Sequence, residues 1–332
     1  MRVIIWALAF ATLGWSGYWV VAQSAIERGA TSWFEERRAE GWAAEVAGVE
    51  TRGFPYRFDT RLTDVALADP DTGVLWSLPE LELRALAYRP AHVIAVFPPR
   101  QTLASPFASL TLESEDMRAS LRLSGTRLAL RETTAEIAQL SARSTRGWEV
   151  TLDRALLAAR RSAAEENAYD LFVDAAGLRP SDALRLTLSP QGRLPDTFET
   201  LTLDATAAFD APWDRRAIEE ARPQPTGIDL RSFHARWGQL ELRAEGRLAI
   251  APDGTPDGTV TLVATNWREI LSLGEALGLL PQSVMPTATR TLEALASLSG
   301  EPDTIDLPLT FAGGRLSLGP IPLGPAPRLR LR

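Results

Sequence analysis

Cysteine and lysine are both missing from this chain. Without cysteine no disulfide staples the fold and no thiolate serves as nucleophile or metal ligand, so stability has to come from buried apolar area. Without lysine, all 35 basic residues are arginine, a bias read as genome base composition rather than as a phosphate-binding specialisation. Histidine is scarce as well: His92 and His234 lie far apart in the sequence. No G-x-S-x-G, H-E-x-x-H, Walker loop or dinucleotide fingerprint occurs. The expectation is therefore a protein that is not an enzyme, with no catalytic residue, cofactor or metal site, and a hydrolase as the distant alternative. A net charge of −7 speaks against nucleic acid as a partner, because phosphate-backbone binding needs a basic footprint. It leaves lipids open, since acyl chains are recognised by apolar surface.

What the chain does have is one uncharged apolar run, Val3 to Val21, VIIWALAFATLGWSGYWVV. Its 19 residues meet the roughly 18 needed to span a bilayer. A cleaved signal competes for the segment: Arg2 is a minimal basic n-region and Ala22-Gln23-Ser24 a small-x-small site. The run is too long for a signal core, and Trp15, Tyr18 and Trp19 crowd its far end as interfacial aromatics do. An anchor over residues 1–25 is the reading adopted, with the bilayer as partner of Val3 to Val21. Arginines lie on both sides (Arg2 before; Arg28, Arg37 and Arg38 after), so charge does not orient it. The two-residue N-terminal tail favours N-in, with the remainder in the periplasm and the anchor in the inner membrane.

Residues 26–41 carry Ile26, Ala30, Trp33 and Phe34 at helical spacing opposite a charged face, with Gly41 as a stop. From Trp42 onward the period becomes two. Alternating segments such as Phe58, Thr60 and Leu62, or Leu81, Leu83, Ala85 and Ala87 up to Pro90, predict strands. A buried strand is expected at Val93 to Phe97, and further short strands near 108–113, 117–123, 126–131, 135–142, 148–153, 155–161 and 168–175. Beyond Gly177 the pattern predicts a strand over Phe198 to Phe209, a short helix opening at Pro212, and a meander from Ser232 to Thr265. Two helices follow. The first is capped by Asn266, with Trp267, Ile270, Leu271 and Leu277 inward and Gly278 near its end. The second opens at Pro286, with Ala288, Leu292, Leu295 and Ala296 inward and Gly300 after it. Terminal strands end with Pro327 to Arg332. The fold class is mainly β: an N-terminal transmembrane helix, then a long antiparallel curved sheet or meander over 42–332 with a few accessory helices, divisible into halves 42–177 and 178–332.

Several residues carry a chemical reading beside a plainer one. Ser232 and His234 would share a strand face, but no nucleophile elbow surrounds the serine. Asp253-Gly254 and Asp257-Gly258 suggest calcium, yet an EF-hand's remaining ligands are missing and both dipeptides read as hairpin turns. Arg160-Arg161 and Arg215-Arg216 read as solvated edges rather than anion sites. Trp76, Trp148, Trp213, Trp237 and Trp267 could line an apolar groove, though tryptophan is most often core.

RGFPYRFDTRLTDVALADPDTGVLW at 52–76 and YRPAHVIAVFPPRQ at 88–101 resemble a family of Gram-negative envelope proteins designated domain of unknown function 2125. The segment GRLAIAPDGTPDGTVTLVATNWREIL and the ending GGRLSLGPIPLGPAP fit the same family. The resemblance spans nearly the whole chain and implies an N-terminal membrane segment with an exported domain, and no assigned activity. More loosely, the anchor, the meander and the G-x-L-x-L-G-P ending look AsmA-like. AsmA-like proteins form curved sheets with an apolar groove, implicated in moving phospholipid. The leading expectation is accordingly a periplasmic β-domain that binds or passes phospholipid acyl chains. The alternative is an envelope scaffold that binds another protein through a sheet edge.

Overall fold

The computed structural model describes residues 2–70, 72–189, 194–219, 221–276, 285–299 and 301–331. The chain divides into two compact units, residues 1–123 with 135–147, and residues 124–134 with 148–332. A large antiparallel sheet architecture prevails, with one long apolar helix at the N-terminus.

The first unit holds α1 (Arg2–Ala39), β1 (Ala43–Glu45), β2 (Gly48–Arg52), β3 (Arg57–Ala68), β4 (Leu75–Leu86), β5 (Arg89–Val96), β6 (Arg100–Ala104), β7 (Ser109–Glu113) and nearly all of β8 (Asp116–Ser124). It also holds most of β9 (Ala129–Ser144). The apolar run and the amphipathic stretch form one helix, because neither proline nor glycine pairs interrupt them. That helix stops where the sequence says it should. Trp42 N–H bonds the Arg37 carbonyl at 3.0 Å and Gly41 N–H the Arg38 carbonyl at 3.1 Å, with Gly41 at φ +91. This is the double bond pattern of a glycine-terminated helix, which L side chains with a Cβ resist.

The second half of α1 lies along β3. Trp19 packs on Phe58, and Phe34 on Leu62 and Val65. Trp19 to Phe34 is fifteen helical residues, about 22 Å at 1.5 Å each. Phe58 to Val65 is seven strand residues, about 23 Å at 3.3 Å each. The two advances match, so helix and strand meet at both ends, and between them α1 lies on β2, with Glu27 bonded to Thr51.

The second unit holds β10 (Glu149–Arg161), β11 (Ala168–Ala176), β12 (Arg179–Pro180), α2 (Asp182–Leu188), β13 (Thr200–Phe209), α3 (Arg216–Glu219), β14 (Pro225–Trp237), β15 (Leu240–Ile250) and β16 (Pro256–Thr265). After these come α4 (Trp267–Ala276), α5 (Met285–Ser299), β17 (Thr304–Ala312), β18 (Arg315–Leu318) and β19 (Ile321–Pro325). Pairing runs β10–β11–β13–β14–β15–β16–β17–β18–β19, antiparallel throughout. Both α4 and α5 pack at one end, where Trp267, Ala288, Leu292 and Ala296 meet Ala264, Ile305 and Ile321.

Several boundaries differ from expectation. The segments near 126–131 and 135–142 are one strand, β9, and those near 148–153 and 155–161 are β10. Charges such as Arg154 do not break β10, because they sit on its ionised face; Arg154 pairs with Asp174 at 3.8 Å. Pro90 does not end a strand but lies in β5; β4 runs from Leu75 through Pro79 to Leu86. Neither β6 nor α2 was anticipated. Asn266 precedes α4 at φ +54, and its side chain donates to the Gln239 carbonyl at 2.6 Å across the sheet end instead of capping the helix. Pro327 onward is no strand: the described tail to Leu331 is held by Leu329 N–H on the Gly254 carbonyl and by Gln224, which bonds both the N–H and the carbonyl of Leu331. Leu277, Gly278 and Gly300, and Asp71 and Arg332 in the first turn and the tail, lie outside the described residues.

Candidate functional site

Two features stand out, one in each unit. In the first, the far end of the apolar run is docked on the β-structure. Trp15 Nε1 donates to the Pro55 carbonyl at 2.9 Å, Tyr18 Oη to the Ala87 carbonyl at 2.8 Å, and Trp19 Nε1 to the Arg57 carbonyl at 3.0 Å. Trp19 is 7% exposed, stacked on Phe58 with ring centroids 5.7 Å apart and edge-on to Phe54 at 5.4 Å. Two turns further, Glu27 Oε1 accepts the Thr51 N–H at 2.7 Å. The helix is therefore continuous with the folded domain straight through Ala22-Gln23-Ser24. Residues Val3 to Leu13, by contrast, have exposed large side chains. In sequence, the aromatics at the end of the run carry this feature; their partners at 54–58 and 87 could not be read from it.

In the second unit, strand alternation sorts side chains onto two faces. Cross-strand register places Leu157, Leu171 and Val173, then Leu201, Leu203, Phe233, Leu242, Leu262 and Leu307, on the same face. The opposite face carries ion pairs: Arg160–Asp170, Arg231 with Asp170 and Asp204, Arg243–Glu241, and Arg247–Asp229 at 3.0 Å. Among the described residues this face is sealed under α4 and α5 and in the neighbouring cluster of Leu194, Trp237 and Leu240, and again toward the opposite end, where Tyr169, Ala207, Ile250, Val260 and Phe311 are buried. Between these ends Leu201, Leu203, Phe233, Leu242 and Leu262 are half-buried, and Leu157 is 40% exposed. A face of this kind offers mainly apolar contact, with its ionised groups at the β10 margin, where Asp153 pairs with Arg179 and Arg161 lies opposite Tyr169. A void of about 30 Å³ remains beneath α5, lined by Leu271, Leu292 and Ile321 among others.

The residues weighed for chemistry fall elsewhere. His234 Nε2 bonds Glu241 Oε1 at 2.8 Å on the ionised face, in an open depression of about 380 Å³ that Ser232 also lines. No hydrogen bond joins Ser232 to His234 among the described residues. The Arg243 guanidinium, and after it His234, hold the Glu241 carboxyl below its ordinary range. His92 Nε2 meets Ser120 Oγ at 2.9 Å, in the first unit. Asp253-Gly254 is a turn, closed by Thr255 N–H on Asp253 Oδ1 at 3.0 Å. Asp257-Gly258 is not: it lies inside β16, paired with Ala249 and Leu248, because the hairpin already turned at 251–255. Arg160 pairs with Asp170 on a strand bonded along its length to β11, and Arg216 pairs with Asp214 at 3.2 Å. Trp237 and Trp267 are core, at 4% and 1% exposure, whereas Trp76, Trp148 and Trp213 are half-buried. Among the described residues, no three His, Asp or Glu side chains cluster as a metal site would require.

Residues 19–327 match the model of a family described as an uncharacterized protein conserved in bacteria, DUF2125. The chain belongs to this family. No curated protein and no solved structure matches it. The DUF2125 match begins at the docked Trp19 and includes both units, so it takes in the helix–strand contact and the two-faced sheet alike. Both early segments that carried the resemblance map onto that contact: 52–76 is the β3 hairpin beneath α1, and 88–101 begins beside Ala87, which accepts Tyr18.

Proposed function

We propose that this DUF2125 chain is a single-pass membrane protein that holds phospholipid acyl chains on the apolar face of its second unit. The observation that carries the reading is the division of that sheet into one ionised and one largely apolar face, the latter buried at its two ends and half-exposed at Leu203, Phe233 and Leu262 between them. A core meant to be closed would bury Leu203, Phe233 and Leu262; an acyl chain laid along them would do so at about 25 cal/mol per Å² removed from water. Retention of the N-terminal segment as an anchor is supported by its docking. Cleavage after Ser24 would strip Trp19 from Phe58 and Ala87, whereas a signal peptide forms no part of a folded domain. On this reading the helix lies N-in in the inner membrane, with the β-rich units in the periplasm.

The scaffold alternative requires a receptive strand edge. The last strand, β19, is a poor one: it has five residues, of which Pro322 and Pro325 lack an N–H. A photo-crosslinking phenylalanine analogue in place of Leu203 or Phe233, in the full chain in living cells, separates the two. Phospholipid adducts at both positions, and none from Asp204 on the ionised face, are expected. Absence of lipid adducts there, while the same probe at Leu8 captures lipid, refutes the groove; protein adducts instead would favour the scaffold.

A further inference from the structure

The first unit presents three large aromatic side chains to solvent beside α1: Phe54 at 54%, Tyr56 at 69% and Tyr88 at 59% exposure. They sit on two adjacent tips, the β2–β3 turn and the β4–β5 turn, which are tied together by the Ala87 N–H on the Tyr56 carbonyl at 2.9 Å. We infer that these tips form a collar that sits in the headgroup layer of the bilayer around α1. The inference rests on the anchor reading above.

Geometry carries it first. Trp15 is bonded to Pro55 and Tyr18 to Ala87, so the tips are level with residues 15–18 of the helix. The uncharged run continues to Val21, six residues beyond Trp15, or about 9 Å of helix. From Val3 to Trp15 the helix rises only about 18 Å, against about 30 Å of hydrocarbon in a typical bilayer. Val3 to Val21 gives about 27 Å. A bilayer that covers the helix beyond Trp15 therefore reaches the tips, which are bonded to Trp15 and Tyr18. Val20 and Val21, at 55% and 67% exposure, extend the apolar helix surface past the tips.

Chemistry agrees. Backbone polar groups entering a low-water region must be satisfied within the protein. At these tips the carbonyls of Pro55, Arg57 and Ala87 accept the aromatic donors of α1, the Gly53 carbonyl accepts the Tyr56 and Arg57 N–H groups, and the Tyr56 carbonyl accepts Ala87. Tyr56 and Tyr88 are of the kind enriched at membrane interfaces, an apolar ring with a polar tip, and Phe54 adds a wholly apolar ring beside them. Arg89 flanks them, 6.0 Å from the centroid of the Tyr88 ring, and its long stem lets the guanidinium reach phosphates, while Arg52 and Arg57 nearby are paired with Glu50 and Asp59.

Because the chain has no cysteine, a single introduced thiol reports one position cleanly. The full chain is reconstituted in vesicles of phosphatidylethanolamine and phosphatidylglycerol, with an environment-sensitive fluorophore on Leu8→Cys, Tyr56→Cys, Tyr88→Cys or Thr72→Cys. Thr72 lies in the turn at the opposite end of the β3–β4 hairpin, exposed. Expected is quenching at 56 and 88 by a headgroup-level spin label, with several-fold less quenching by aqueous iodide than at 72, and deep quenching at 8. Iodide quenching at 56 and 88 equal to that at 72, with 8 still deep, overturns the collar and leaves the anchor standing. Iodide access at 8 itself overturns the anchor, and the collar with it.

Discussion

If α1 is part of the fold rather than a leash, Trp19→Ala should unfold more than the helix. An indole buries about 150–250 Å², and at 25 cal/mol per Å² that corresponds to about 4–6 kcal/mol of transfer free energy. Core Trp→Ala substitutions cost about 3–5 kcal/mol. Trp19 is 7% exposed and also donates to Arg57, so about 3–5 kcal/mol is expected here. Trp19→Phe isolates the hydrogen bond: it keeps a ring against Phe58 and removes the N–H, for about 0.5–1.5 kcal/mol. Phe10→Ala, at a side chain 79% exposed on the same helix, is the control and should change nothing in micelles. The assay is denaturant unfolding of the full chain in mild detergent, followed by the strand signal in far-UV circular dichroism. The reasoning fails if Trp19→Ala shifts stability no more than Phe10→Ala, for the helix would then be separable from the domain.

In the second unit, Leu292→Ala should cost about 2–5 kcal/mol in thermal unfolding, towards the upper end because a void already adjoins the 1%-exposed side chain. Gly246→Ala should be severe: at φ +154 its Cβ would stand 2.3 Å from the Thr259 carbonyl oxygen and 2.6 Å from Val260 Cα, so β15 and β16 would have to part. Loss of soluble folded protein on expression, compared with Ala244→Gly nearby, checks it. Glu241 has a lowered pKa, so its stabilisation is full above the ordinary carboxylate range and is lost as pH falls through the lowered value. Arg243→Ala should move the Glu241 titration up towards the ordinary range in carboxyl NMR, with little effect on stability at neutral pH because the pair is solvent-screened.

Much of this architecture is legible in the residues. Alternation in β14 to β16 and the 3.6-residue spacing of Ala288, Leu292 and Ala296 are local signals, and the elements follow them. Gly41 marks the helix end because the left-handed residue is needed there and nowhere nearby. Long strands were harder to read. Arg154 looks like a turn until Asp174 is seen across the ladder, since a charge on one face of a two-faced sheet is invisible to a rule that seeks uninterrupted alternation. The open apolar face is legible only in part: leucine and valine alternation says that one face is apolar, but which neighbours leave it uncovered depends on where α4 and α5 pack. Docking of Trp15, Tyr18 and Trp19 was beyond sequence reasoning, since their partners are backbone carbonyls 38 to 69 residues away and every residue has a carbonyl.

On the anchor reading, a helix that passes from bilayer to domain without a joint turns tilt into motion. Transmembrane helices lean by about 20° on average, and by more or less as hydrocarbon thickness changes. Because α1 is packed on β3 at both Trp19 and Phe34, the hairpin leans with it. From Phe58 to Ala68 the strand rises about 33 Å, so a change of about 20° in lean would sweep the far turn through about 11 Å. The first unit is in that sense a lever whose short arm is the membrane, and a local thinning or thickening of the bilayer would be registered at its distal end as displacement.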